Sequence, residues 1–167
     1  MHAPWWVAVP VLVTTVLATR SDLRSRTIPN ALTGPVLLLG LFAHLLYAGP
    51  AGAWNALVGA FVAGGLLFPG WLMRWTGAGD VKLMAAVGAW LGFPSSLYAT
   101  LATLIAGGLI ALVVAAQRGI LWRSVRGAAL LMVGALPRTA LAGNTGVRFP
   151  FALAILAGSV FALCRPQ

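Results

Sequence analysis

The chain has only two acidic side chains, Asp22 and Asp80, in 167 residues. Two carboxyl groups held side by side cannot both ionise readily, so they share a proton. The ionised member can take a proton from water as it attacks a peptide carbonyl. The protonated member can steady the developing oxyanion and then help protonate the leaving amine. This is aspartyl-protease chemistry, and it calls for neither a metal nor a cofactor. Other catalytic sets are poorly supplied. His44 falls inside an apolar run and reads as a packed histidine, and His2 lies at the far amino end. The single Cys164 has no base beside it and excludes an internal disulfide or a multi-cysteine zinc site. Each aspartate alone has a structural reading. Asp22 could be a turn residue or pair with Arg24 or Arg26. Asp80 could be a helix N-cap. Together these readings weaken, because Ser or Thr could do the capping without placing a charge near lipid.

The elements that must position the pair belong to a membrane. Hydrophobic residues make up 60% of the chain and charged residues 8%, where a soluble domain carries about 25% charged. Apolar runs fall at 3–19, 31–48, 51–73, 81–93, 97–116 and 149–164. They predict an all-α integral membrane protein, one domain across 1–167, built as a bundle of about six transmembrane helices. The piece 127–137 is too short to span and reads as interfacial or re-entrant. Two AGG runs, at 63–65 and 106–108, supply small residues for close helix packing. The net charge of +9 fits basic residues at helix ends meeting anionic lipid rather than nucleic acid. The first run is not a cleaved signal, since its charges follow it as Arg20, Arg24 and Arg26.

The positive-inside rule puts the amino terminus outside and every Lys and Arg except Arg165 on the cytoplasmic side. Asp22 follows the first span and Asp80 precedes the fourth, so both reach that side and can meet. Lys82 to Phe93 covers about 18 Å of helix, short of a core about 30 Å thick. Either the fourth helix begins earlier, near Thr76, or it stops short of the outer face. The earlier start would put Asp80 beneath the interface, where an ionisable group marks function by default.

Two stretches carry a resemblance. The sequence GAGD, Gly77 to Asp80, followed by Val81 and Lys82, resembles the GxGD motif of intramembrane aspartyl proteases. The sequence SDLRSRTIPN, Ser21 to Asn30, resembles the other half of the type IV prepilin peptidases, and VRFPFALAILAG, Val147 to Gly158, resembles their last helix. The resemblance implies a peptidase that removes short basic leaders from pilin or pseudopilin precursors at the inner, cytoplasmic membrane face. Asp22 and Asp80 would be its catalytic pair. Gly77 and Gly79 would let backbone approach the site. Pro29 and Asn30 would start the second helix, Asn30 as its cap. Lys82 would tune a carboxylate or anchor its helix at the headgroups. One cysteine and no soluble insertion resemble the short branch of Flp or tight-adherence pili, without methyltransferase activity. The rival class is a non-enzymatic membrane protein, a proton-coupled transporter or an assembly subunit, using the aspartates structurally or as a proton relay.

Overall fold

In hydrocarbon every backbone N–H and C=O must find a partner within its own segment, so apolar runs fold as helices. The computed structural model, which describes residues 4–73, 76–117 and 151–165, is helical accordingly. Its elements are α1 (Trp5–Ser25), α2 (Asn30–Leu72), α3 (Ala78–Leu91), α4 (Ser95–Gln117) and α5 (Phe151–Cys164). Three of them, α1, α2 and α4, are long and apolar enough to cross a membrane. The chain divides into two compact units, residues 1–107 with 150–167, and residues 108–149. Of the second only the end of α4 is described, and the account below concerns the first. The apolar piece at 127–137 lies outside the described residues.

Three boundaries differ from the sequence expectation. The runs 31–48 and 51–73 are two limbs of α2, broken at Gly49, whose φ of 67° and ψ of −160° are not helical. A positive φ suits glycine, and Pro50 follows where a new limb begins and needs no N–H donor. Helix α1 continues past Thr19 to Ser25, because the mostly polar stretch Arg20 to Ser25, with Leu23 exposed, extends it without an apolar requirement. Helix α3 starts at Ala78 and ends at Leu91. Its fourteen residues rise about 21 Å, so it does stop short of a full crossing.

This short helix is the core. From Leu83 to Leu91 every residue except Ala85 is buried, as expected of a helix apolar on all sides. It runs parallel to the first limb of α2 and antiparallel to the second. Against the first limb, the Trp90 indole N–H donates to the Val36 carbonyl at 2.9 Å, and a Cβ on Gly40 would lie 3.0 Å from that ring. Against the second, Gly64 faces Ala85, Gly59 faces Gly88, and Asn55 Oδ1 accepts the Phe93 N–H at 2.8 Å. Lipid-facing positions are apolar as well, with Phe61 74% and Ile105 65% exposed.

The other elements close around this pair. Thr19 Oγ1 of α1 donates to the Ala152 carbonyl of α5 at 3.3 Å, besides its own helix at Thr15. Gly107 of α4 meets the Phe151 ring of α5, whereas its neighbour Gly108, like Gly65, has nothing within 4 Å. Among the described residues, only one glycine of each AGG run therefore meets a neighbouring helix. His44 is packed: Nδ1 lies 3.1 Å from the Gly40 carbonyl and the ring stands edge-on to Trp6.

A Cβ on Gly88 would collide with the Gly59 carbonyl, and one on Gly59 with the Gly88 carbonyl. Gly88→Val should therefore cost about 1–3 kcal/mol by overpacking and lower the thermal midpoint in detergent by several degrees. Gly65→Ala should leave the midpoint unchanged or raise it, since alanine favours helix. Equal midpoints for Gly88→Val and the parent chain would refute this packing.

Candidate active site

Asp22 sits within the last turns of α1 rather than in the turn after it. The helix ends at Arg26, whose left-handed backbone (φ 52°, ψ 30°) lets its N–H donate to the Asp22 carbonyl. The Ser21 hydroxyl then donates to the Thr27 carbonyl at 2.8 Å, tying the helix end to the outgoing turn. Asp22 is half-buried. Among the described residues it forms no ion pair with Arg24 or Arg26, so both structural readings of it give way.

Asp80 is not an N-cap either. Gly77 holds that position, and Asp80 lies three residues on, in the first turn of α3. Its Oδ2 accepts the Gly77 N–H at 2.9 Å, which satisfies a helix-end donor and places a negative group at the positive end of the helix. The side chain is 8% exposed. The glycines around it leave room for close contacts. A Cβ on Gly77 would lie 3.1 Å from Asp80 Oδ2, and one on Gly79 would lie 3.0 Å from Ile28 Cβ.

The turn after α1 thus rests on the start of α3. Pro29, in extended backbone, is the N-cap of α2, and Asn30 is the first helical residue with no capping hydrogen bond. The expected Asn30 cap is corrected: its Oδ1 accepts instead from Lys82 Nζ at 2.9 Å. Lys82 reaches an amide of the other motif rather than a carboxylate. Sequence reading missed Ile28, Ser21 and Thr76. The first two showed only as members of the SDLRSRTIPN stretch. Thr76 adjoins GAGD, and its buried hydroxyl has no partner among the described residues.

Asp80 precedes the apolar run of α3 and lies outside the three long spans. Burial pushes its carboxyl up from the ordinary 3.8 to about 6; the Gly77 N–H opposes this, and the charge of Asp22 adds to it. Burial disfavours the anion because water is lost from around it, and a nearby like charge acts in the same direction. The two carboxyl groups are therefore within electrostatic reach. Below about pH 6 Asp80 holds a proton, so the arrangement offers a protonated carboxyl beside a more accessible one.

A helical membrane protein with two such carboxyls on adjoining helix ends has the parts of an aspartyl-type membrane peptidase. The chain belongs to the type IV leader peptidase family, whose sequence pattern matches residues 9–112, a stretch containing Asp22, Asn30 and Asp80. It is 38% identical over 104 residues to a prepilin leader peptidase/N-methyltransferase of Aeromonas hydrophila, covering 54% of this chain and 34% of that protein. It is 30% identical over 131 residues to the protein of the same name from Pectobacterium carotovorum subsp. carotovorum, covering 72% of this chain and 43% of the relative. An Escherichia coli (strain K12) protein of that name is 37% identical over 82 residues, 43% of this chain and 35% of its own length. The chain thus spans less than half the length of these curated relatives. No solved structure gives a significant match.

Because the chain has only two acidic residues, both aspartates, carboxyl-labelled aspartate gives two side-chain carbon signals. One should titrate with a midpoint near 6, disappear in Asp80→Asn, and move to lower pH in Asp22→Asn as the like charge is removed. A midpoint near 4 for both signals would contradict the burial and the proximity described.

Proposed function

We propose that the chain is a prepilin leader peptidase in which Asp22 and Asp80 are the catalytic pair. The observation that carries this reading is the placement of the buried Asp80, in the first turn of α3, beside the turn that leaves α1 just after Asp22, where Ile28 lies against Gly79. Asp22 and Asp80 are the chain's only two acids. A water between the pair attacks the scissile carbonyl carbon while Asp22 takes its proton. Asp80 donates its hydrogen bond to the carbonyl oxygen, which becomes the tetrahedral oxyanion. Collapse breaks the C–N bond as the proton passes to the leaving amine, and the pair returns to its singly protonated state. The Gly77 N–H keeps the second Asp80 oxygen occupied, which fixes the direction in which the carboxyl presents its proton.

The family to which the chain belongs supports a prepilin as substrate. A precursor with an apolar helix and a short basic leader lays its helix in the bilayer beside the bundle. Its leader stays at the anionic headgroups of the cytoplasmic face. The placing of Lys and Arg supports an inner-membrane protein with its amino terminus outside and the pair facing the cytoplasm.

Asp22→Asn and Asp80→Asn should each lower cleavage of a purified pilin precursor by about 10²–10⁴-fold, with the protein still inserted and folded. Asparagine keeps the size of the side chain but cannot cycle a proton. The double variant should be no worse than either single one, because the pair works as a unit. Normal cleavage by Asp80→Asn membranes would make the carboxylates structural and end the peptidase reading.

A further inference from the structure

We infer that Lys82 is a positioning residue: its ammonium, hydrogen-bonded to Asn30, clasps the turn between α1 and α2 onto the start of α3 and so sets how closely Asp22 approaches Asp80. The inference rests on the peptidase reading above, and it gives Lys82 a role that is neither charge tuning nor headgroup anchoring.

The path from one carboxyl to the other runs through this turn. Asp22 is held at its beginning by the Arg26 N–H on the Asp22 carbonyl, and Ser21 by its bond to the Thr27 carbonyl. The next residue, Ile28, lies against Gly79, where no Cβ intervenes. Two residues later Asn30 takes the Lys82 bond at 2.9 Å. The two contacts, 28 with 79 and 30 with 82, straddle Asp80. Together they hold the outgoing turn of α1 against the first turn of α3.

Lys82 is poorly placed to act on Asp80 directly. It follows Asp80 by two residues, about 200° around the helix, so its stem leaves from the opposite side. The influences on the Asp80 carboxyl are burial, the Gly77 N–H and Asp22, and Lys82 is not among them. A lysine suits the clasp because its long stem spans the gap between two helix starts while its remaining donors stay in water or headgroups. Helix α1 also packs directly on α3. Cutting the clasp therefore loosens the pair rather than separating it, and the expected loss is partial.

The test uses the full chain in lipid vesicles with a purified pilin precursor. Lys82→Met and Asn30→Leu should each lower kcat about tenfold, the scale of one lost charge-assisted hydrogen bond, with KM little changed. Both residues are exposed, so each variant should keep its thermal midpoint. The double variant should match the singles, since they remove one shared contact. Asn30→Asp still accepts from Lys82 and should recover cleavage to near the parent rate. The alkaline midpoint of the kcat–pH profile should fall alike in both singles, because Asp22 then repels the Asp80 anion less. Additive losses, parental cleavage by Asn30→Leu, or a midpoint that rises in Lys82→Met would overturn the clasp; the last would mean that the charge itself acts on Asp80. Parental cleavage by Asp80→Asn in the same assay would instead defeat the peptidase reading.

Discussion

Gly59 and Gly88 meet with no side chain between them, and the position of α3 follows from that contact. A helix of fourteen residues cannot be located by the two faces of a bilayer, as a full span is. Its depth and roll must come from its neighbours. The two limbs of α2 supply them, the first through Trp90 on Val36 and the second through Gly59, Gly64 and Asn55. The break at Gly49 is what allows one continuous element to grip α3 from two directions. With α3 so held, its first turn lands beside the turn that ends α1, and Asp80 is carried there with it.

The electrostatics at that point bear on the proposed role of Asp80. A buried carboxylate kept for stability is normally paired with a cation, since an unpaired buried charge is costly. Among the described residues Asp80 has the Gly77 N–H on one oxygen, the charge of Asp22 acting on it and no cation paired with it, in a chain where Lys and Arg outnumber Asp and Glu eleven to two. Lys82, two residues away, turns to Asn30. The arrangement therefore leaves the proton affinity of Asp80 raised where an ion pair would have lowered it. That is the condition in which a carboxyl can hold and release a proton near neutral pH.

Much of this was legible in the sequence, for identifiable reasons. Apolar runs fixed the helical class because backbone satisfaction in lipid leaves few alternatives. Two aspartates in a chain with no other acid pointed to each other, and both lie within the stretch that matches the family to which the chain belongs. What composition could not reveal was the partner of each polar group. Asn30 looked like a cap because asparagine commonly is one, yet Pro29 holds that place and Asn30 answers Lys82 across the fold. Asp80 looked like a cap for the same reason, and Gly77 took the position. The first is local propensity yielding to a contact between residues some fifty positions apart; the second is a shift of three residues, since Asp80 still accepts a helix-end N–H, that of Gly77, from the first turn. The Gly59–Gly88 approach was likewise hidden, since twenty glycines in the chain give no sign of which two will touch. The AGG runs drew attention to four glycines, and two of them meet nothing among the described residues.

The central claim is that Asp22 and Asp80 form one proton-sharing pair. The separation of their carboxyl groups, read from an experimental structure of the chain in lipid, tests it most directly. One water must touch both groups during attack, so the account predicts an approach within about 10 Å, closing further when a substrate is bound. Carboxyl groups on opposite faces of the membrane, or separated by a packed helix, would contradict it.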